Sequence, residues 1–120
     1  MTKRSSTMSE AVYHILAALL ESPLHGYGII KRAGELSGGR VRLAVGTLYG
    51  ALDRMAGDGL VAVDREETVA GRPRRYFRIT DAGRQAVAEE ALRMERAAAL
   101  VRKRAGSPGP AAVHPGTAPA

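Results

Sequence analysis

The sequence predicts a mainly α-helical domain with one small β-hairpin, an α+β fold, followed by a C-terminal helix. Apolar residues recur at helical spacing in four segments. Between the third and fourth segments, a β-branched run and an alternating run flank a turn that contains a glycine and a proline. The chain has 120 residues, of which 45% are hydrophobic, so it can build one modest core. We therefore expect a single folded domain with a tail.

The first helix is predicted to begin at a capping box. Thr7 would be the N-cap and accept hydrogen bonds from first-turn amides, and Glu10 would reach back to it. Pro23 would end the helix. Five apolar side chains at helical spacing form one stripe, which must be buried against another element. The stripe consists of Val12, Ile15, Leu16, Leu19 and Leu20.

Two more helices and a short strand are expected next. The second helix keeps helical apolar spacing and ends at Gly38 and Gly39, which favour left-handed backbone. Residues 40–43 alternate basic and apolar and predict a short strand. The third helix would run from about Val45 to Asp58. Its inward side chains would be Leu48, Leu52 and Met55.

The hairpin follows the third helix. Residues 60–66 and 74–79 have strand character, and the turn 68–73 between them is predicted to be a flexible tip that bears arginine. By alternation, Phe77 and Ile79 should face the core. Thr80 would cap a fourth helix that runs to about Arg104.

These elements divide the chain into four parts. Residues 1–6 are expected to be a flexible N-terminus, 7–80 a folded domain of three helices and the hairpin, and 81–104 a C-terminal helix. Residues 105–120 are rich in Gly, Pro and Ala, and their few large apolar side chains cannot offset the entropy of ordering, so we expect a disordered tail.

Composition narrows the classes of function. The chain has 18 lysines and arginines and 12 acidic residues, and the resulting net charge of +6 favours a polyanionic partner. No apolar run is long enough for a membrane span, and the N-terminus lacks the apolar region of a signal peptide, so we expect a cytoplasmic protein without a membrane partner. There is no cysteine, and the three histidines lie far apart without metal-ligand spacing. We expect no metal, no cofactor and no enzymatic activity.

The order of the elements is that of a winged helix-turn-helix. In that fold the third helix enters the major groove of DNA and the hairpin contacts the flanking backbone. Arginines on the hairpin suit this role, because guanidinium groups form two-pronged hydrogen bonds with phosphates. The sequence therefore predicts that residues 7–80 are a DNA-binding domain and that its partner is double-stranded DNA.

Several separate blocks resemble the signature of the PadR family of bacterial transcription regulators. They are "HGYGIIKR", "GTLYGALDRM", "DGLV" and "GRPRRYFRITDAGR", in this order within residues 10–95. The resemblance implies a dimeric winged helix whose C-terminal helix supplies much of the dimer interface, in the short subgroup with a single such helix. It also implies a sequence-specific regulator, usually a repressor that a small molecule or another signal releases.

Nine residues are the predicted DNA contacts. Helical phase places Thr47, Tyr49 and Arg54 on the flanks of the exposed face of the third helix. Thr47 and Tyr49 belong to the "GTLY" block, and the resemblance also implies that they contact DNA. Alternatively, Tyr49 packs against the second helix. The hairpin supplies Arg72, Arg74 and Arg75, and lower-ranked candidates are Arg40, Arg42 and Lys31.

The fourth helix carries a heptad-like apolar stripe that predicts a homodimer, with the first helix of the other subunit as a second contact. The predicted interface consists of Val12, Leu16, Leu19, Val87, Ala91, Met94, Ala98 and Val101. Two copies would place their reading helices about one DNA turn apart, so the operator should have two-fold symmetry. A small-molecule effector of unknown identity would bind where the subunits meet. The alternative function is a winged-helix module that docks on an acidic protein without binding DNA.

Overall fold

The computed structural model describes residues 8–106, and it contains four helices and three strands in that range. In chain order they are α1 (Glu10–Ala18), β1 (Leu24–His25), α2 (Gly26–Leu36), α3 (Val45–Gly57), β2 (Val61–Val69), β3 (Arg72–Ile79) and α4 (Asp81–Ala105). The predicted N-terminal segment 1–6, the predicted N-cap Thr7 and nearly all of the predicted tail lie outside the described residues.

The first helix begins and ends at other residues than the sequence predicted. Ser9 is the N-cap, because its backbone is extended and its hydroxyl accepts a hydrogen bond of 3.1 Å from the amide of Val12. The carboxylate of Glu10 is bound to Arg40. The helix ends at Ala18, well before Pro23.

The predicted strand at residues 40–43 was wrong. The strand that joins the hairpin is instead β1, Leu24–His25. These two residues pair with Phe77 and Tyr76 of β3, on the side away from β2, so that β3 is the central strand of an antiparallel sheet in the order β1-β3-β2. Residues 40–43 do not pair; instead, the amide of Val41 donates to the Ser37 hydroxyl at 2.9 Å. A two-residue strand is too short to show an alternating pattern in the sequence.

The turn of the hairpin is shorter than predicted. It consists of Ala70 and Gly71, both with positive φ (53° and 76°), as the tight turns that match twisted strands require. Arg72 and Pro73 therefore belong to β3, where they pair with Val69 and Thr68. The arginines are held on a paired strand and not on a flexible tip.

One core joins α1, α2, α3, the sheet and the start of α4. Its fully buried large side chains are Ile15, Leu16, Leu19, Ile29, Leu48 and Leu52. The inward positions predicted on α3 and on β3 are confirmed, since Leu48, Leu52, Met55, Phe77 and Ile79 are all buried.

Three residues of the predicted dimer interface belong to this core. Leu16, Leu19 and Val87 are buried within a single chain and pack in its hydrophobic cluster. Their side chains are therefore not available to a partner. Of the apolar stripe predicted for the first helix, Ile15, Leu16 and Leu19 are buried, but Leu20 is exposed. The helix packs mainly against α2.

The start of α4 is fixed on the hairpin side of the core. Thr80 is the N-cap, as predicted, because its hydroxyl accepts from the Gly83 amide at 3.0 Å and donates to the Gly59 carbonyl at 2.6 Å. The chain divides into two compact units after Glu90. The described part of the first unit holds everything from α1 to the start of α4, and that of the second holds the remainder of α4.

Candidate nucleic-acid interface

The exposed face of α3 carries small and polar side chains. Thr47, Asp53 and Arg54 are exposed, as the helical phase predicted. Gly46 and Gly50 lie on the same face, and a Cβ at Gly46 would meet no atom within 4 Å. Few side chains here can reach a base edge, but the helix backbone can approach a partner closely.

Tyr49 packs against the second helix, as one of the two interpretations of the sequence expected. Its hydroxyl lies over the start of α2, where a Cβ on Gly26 would come within 2.5 Å of it. Its ring is tilted against that of Phe77, with 6.2 Å between the ring centroids. The side chain nevertheless keeps 39% of its surface exposed. Tyr49 therefore packs against α2 and keeps part of its surface exposed, and its contact with DNA stays a prediction.

The three hairpin arginines do not share one face. In a strand successive side chains alternate, so Arg75 lies on the same face as Phe77, whereas Arg72 and Arg74 lie on the opposite face with Tyr76. The register pairs Arg72 with Val69, Arg74 with Glu67 and Arg75 with Glu66.

The arginines also differ in their ion pairs. Glu67, opposite Arg74, is bound to Arg65 at 2.8 Å. Among the described residues, no carboxylate lies within 4.0 Å of the guanidinium groups of Arg72, Arg74 or Arg54. These three cations can bind a phosphate without first giving up a partner.

The lower-ranked basic candidates also differ in whether they form an ion pair. Arg40 forms a two-pronged ion pair with Glu10, at 2.8 and 3.2 Å, which ties the segment before α3 to α1. Lys31 lies 3.9 Å from Glu35 on the surface of α2, a distance at which such pairs contribute little. Arg42 donates to the Gly39 carbonyl. Arg40 thus has a structural role that the sequence did not reveal.

An open groove of about 640 Å³ separates the hairpin from the start of α2. It is lined by Tyr27, Tyr49, Glu66, Arg72, Arg74 and Arg75, among others. Tyr27 is not among the predicted contact residues, yet 71% of its surface is exposed. Its position outside the apolar phase of α2 was the signal that could have identified it.

His25, unlike the exposed Tyr27, has a structural role. It is the N-cap of α2, and its Nδ1 accepts a hydrogen bond of 3.3 Å from the Gly28 amide. Its ring meets Tyr76 edge to face at 5.4 Å. Burial, and secondly the nearby charge of Arg74, lower the pKa of His25 below its usual 6.5. The neutral imidazole is therefore the form that the fold favours.

The lowered pKa of His25 predicts that acid destabilises the domain. The unfolded chain takes up this proton more readily than the folded one, so stability is full above about pH 6.5 and falls as the pH drops towards the folded-state pKa. Urea unfolding between about pH 8 and pH 5 would measure the loss. The variant His25→Asn keeps a capping acceptor without the titration and should flatten this part of the profile. An unchanged profile would contradict the assignment.

The predicted interface residues of α4 outside the core are accessible. Met94, Ala98 and Val101 are exposed and Ala91 is half-buried. Leu92 and Leu100 are also exposed, and the predicted stripe omitted them. On α1, Val12 is half-buried and packs against the core.

Neither of two other kinds of site was found in the described part of the chain. No helix within residues 8–106 combines the length and the apolar character that crossing a membrane requires. In the same range, no three His, Asp or Glu side chains are grouped so that they could hold a metal ion.

Comparison with known proteins identifies relatives for most of the chain. The model of the transcriptional regulator PadR-like family matches residues 15–89. The transcriptional regulator Rv3488 of Mycobacterium tuberculosis is 39% identical over 82 residues, which cover 68% of this chain and 73% of that protein.

Solved structures share the fold. A PadR family transcription regulator from Clostridium difficile R20291 matches with a TM-score of 0.68 at 21% identity, over 82% of this chain and all of that one. Bacillus subtilis PadR, solved in complex with operator DNA, matches with a TM-score of 0.58 at 23% identity, over 65% of this chain and 45% of that one. At these identities the two structures confirm the predicted winged-helix fold. The family match and the mycobacterial relative establish more: the chain belongs to the PadR-like family of transcriptional regulators.

Proposed function

We propose that this protein binds an operator of two-fold symmetry in double-stranded DNA as a homodimer, and that it represses transcription until a small molecule or another signal releases it. The observation that carries the proposal is the pair Arg72 and Arg74 on a paired β-strand, with no carboxylate of the described residues in ion-pairing distance. Such guanidinium groups can bind phosphate oxygens in two-pronged fashion. Because bacterial DNA lies in the cytoplasm, we expect the protein to act there.

The exposed face of α3 supports the reading of DNA in the major groove. Thr47 and Arg54 offer hydrogen-bond donors there, and Gly46 and Gly50 let the backbone approach closely. Because so few side chains can contact bases, we expect a large share of the specificity to come from DNA shape. The complex of Bacillus subtilis PadR with operator DNA supports the same kind of partner.

The exposed apolar residues of α4 support a homodimer. Met94, Ala98 and Val101 remain exposed in the single chain. Apolar side chains at heptad-like spacing along one helix are typical of a helix that packs against another helix. A second copy of the chain is the simplest partner, and a small-molecule signal would act where the two copies meet.

The proposal is tested by measuring binding to the DNA upstream of the protein's own gene at two salt concentrations, together with the stoichiometry. We expect saturable binding of two chains to a near-palindromic site, and affinity that falls steeply as salt rises. Failure to bind any duplex would contradict the proposal and would favour the alternative, in which the basic hairpin docks on an acidic protein.

Gly50 on α3 gives a prediction in which stability and binding change in opposite directions. Gly50→Ala should stabilise the domain by about 1 kcal/mol, since alanine is the better helix former and its Cβ would meet only Arg54 Nη1, at an ordinary 3.8 Å. If α3 lies against DNA, the same methyl group should weaken binding. Urea unfolding and DNA titration of the one variant check both effects. A variant that is stabilised but binds DNA unchanged would place the interface elsewhere.

A further inference from the structure

Arg75 differs from the other two arginines of the hairpin in its surroundings. It lies on the face of β3 that also carries Phe77, whereas Arg72 and Arg74 lie on the other face, although all three arginines line the groove. Arg75 is also the one of the three that has an ion-pair partner among the described residues.

That partner is Glu66, directly opposite on β2 in the register of the hairpin. The distance from Arg75 Nε to Glu66 Oε2 is 3.4 Å, and the two side chains are 52% and 55% exposed. A pair as long and as exposed as this one contributes little to stability, so a phosphate can displace the carboxylate from Arg75. Glu66 would then remain in the groove as an uncompensated negative charge.

The other carboxylates of β2 are held differently. Glu67 and Asp64 both bind Arg65, at 2.8 and 3.0 Å, and Arg65 in turn stacks on the ring of Tyr76, 3.9 Å from its centroid. By alternation Glu67 lies on the same face as Arg74, opposite to the face that carries Arg75. Among the described carboxylates, only Glu66 both lines the groove and is paired with a groove arginine.

We propose that Glu66 limits the affinity of this protein for DNA: its carboxylate holds Arg75 in the unbound protein and competes with a backbone phosphate for that guanidinium. The inference rests on the proposed function and adds a residue that weakens the binding of DNA. Glu66 therefore weakens binding to every duplex regardless of sequence, because phosphate contacts carry no sequence information.

The competition has a signature in the salt dependence. Each phosphate that a cation neutralises releases about 0.9 of a counterion from DNA. When the phosphate displaces Glu66, the carboxylate takes up a cation from solution, and the net release is smaller. Removing the charge of Glu66 should therefore tighten binding and also make its salt dependence steeper.

The test compares Glu66→Gln with Glu67→Gln, which removes the same charge one residue away on the other face. Both variants of the full chain are titrated with a short duplex of arbitrary sequence and with the protein's own upstream DNA, over a range of salt concentrations. At low salt, Glu66→Gln should bind about threefold tighter per protomer than the wild type, and the Glu67→Gln control should change less. Thermal unfolding of each variant verifies that the hairpin remains folded.

A third variant shows whether the effect acts through Arg75. In an Arg75→Ala background, the substitution Glu66→Gln should no longer tighten binding. The inference is wrong if Glu66→Gln gains no more affinity than Glu67→Gln, or if its gain persists without Arg75. If the wild type and every variant fail to bind DNA, the proposed function is wrong as well. The inference alone is wrong when the wild type binds DNA but the variants do not differ as expected.

Discussion

Replacing Arg72 and Arg74 together with alanine is expected to weaken binding to operator DNA by about 1,000-fold at low salt. Each guanidinium that binds a phosphate contributes on the order of 1 kcal/mol, and a homodimer loses four such contacts. The slope of log affinity against log salt should become shallower by about four units, one for each lost contact. Titrations at several salt concentrations give both quantities.

The control for this double variant removes two exposed basic residues outside the hairpin. Arg96→Ala with Lys103→Ala makes the same change in net charge on α4, and it should leave the slope nearly unchanged. A loss of about two units for the hairpin variant would mean that only two of the four arginines in the dimer bind a phosphate. Equal losses in both double variants would show that total charge, and not the hairpin, governs binding.

Gly83→Ala is expected to destabilise the domain by about 3 kcal/mol, although alanine normally favours a helix over glycine by about 1 kcal/mol. A Cβ at this position in the first turn of α4 would overlap the carbonyl oxygen of Leu60 and lie 2.8 Å from Ile79 Cγ1. The Leu60 carbonyl cannot move away freely, because it accepts a hydrogen bond of 3.0 Å from the Thr80 amide. Urea unfolding measures the loss.

The comparison that isolates this contact is Gly50→Ala, the same substitution in a helix where the added methyl group has room. The two variants should change stability in opposite directions. If Gly83→Ala also stabilised the protein, α4 would have to begin farther from the turn between α3 and β2 than the structure places it. The close approach of Gly83 is invisible in the sequence, where this glycine looks like an ordinary weak point of a helix.

The sequence by itself determined the helices, the hairpin and the family. Apolar side chains at helical spacing identified the four helices, and alternation placed Phe77 and Ile79 inward, because both patterns follow from local backbone geometry. The boundaries of α3 and the cap of α4 at Thr80 were also predicted closely, since capping and turn residues act over a few positions. The motif blocks identified the PadR-like family for the same reason: they are local and keep their order.

Only the tertiary structure decided which side chains are available to a partner. Leu16 and Leu19 looked like interface residues, but they are covered by the protein's own core, whereas Tyr27, which is absent from the predicted contacts, is exposed. Arg40 and Arg75 carry ion pairs with Glu10 and Glu66, whereas Arg72 has none among the described residues. Burial and ion pairing depend on residues that are distant in the chain, and no periodicity within one segment records them. The short pairing of Leu24–His25 with β3 escaped the sequence for the same reason.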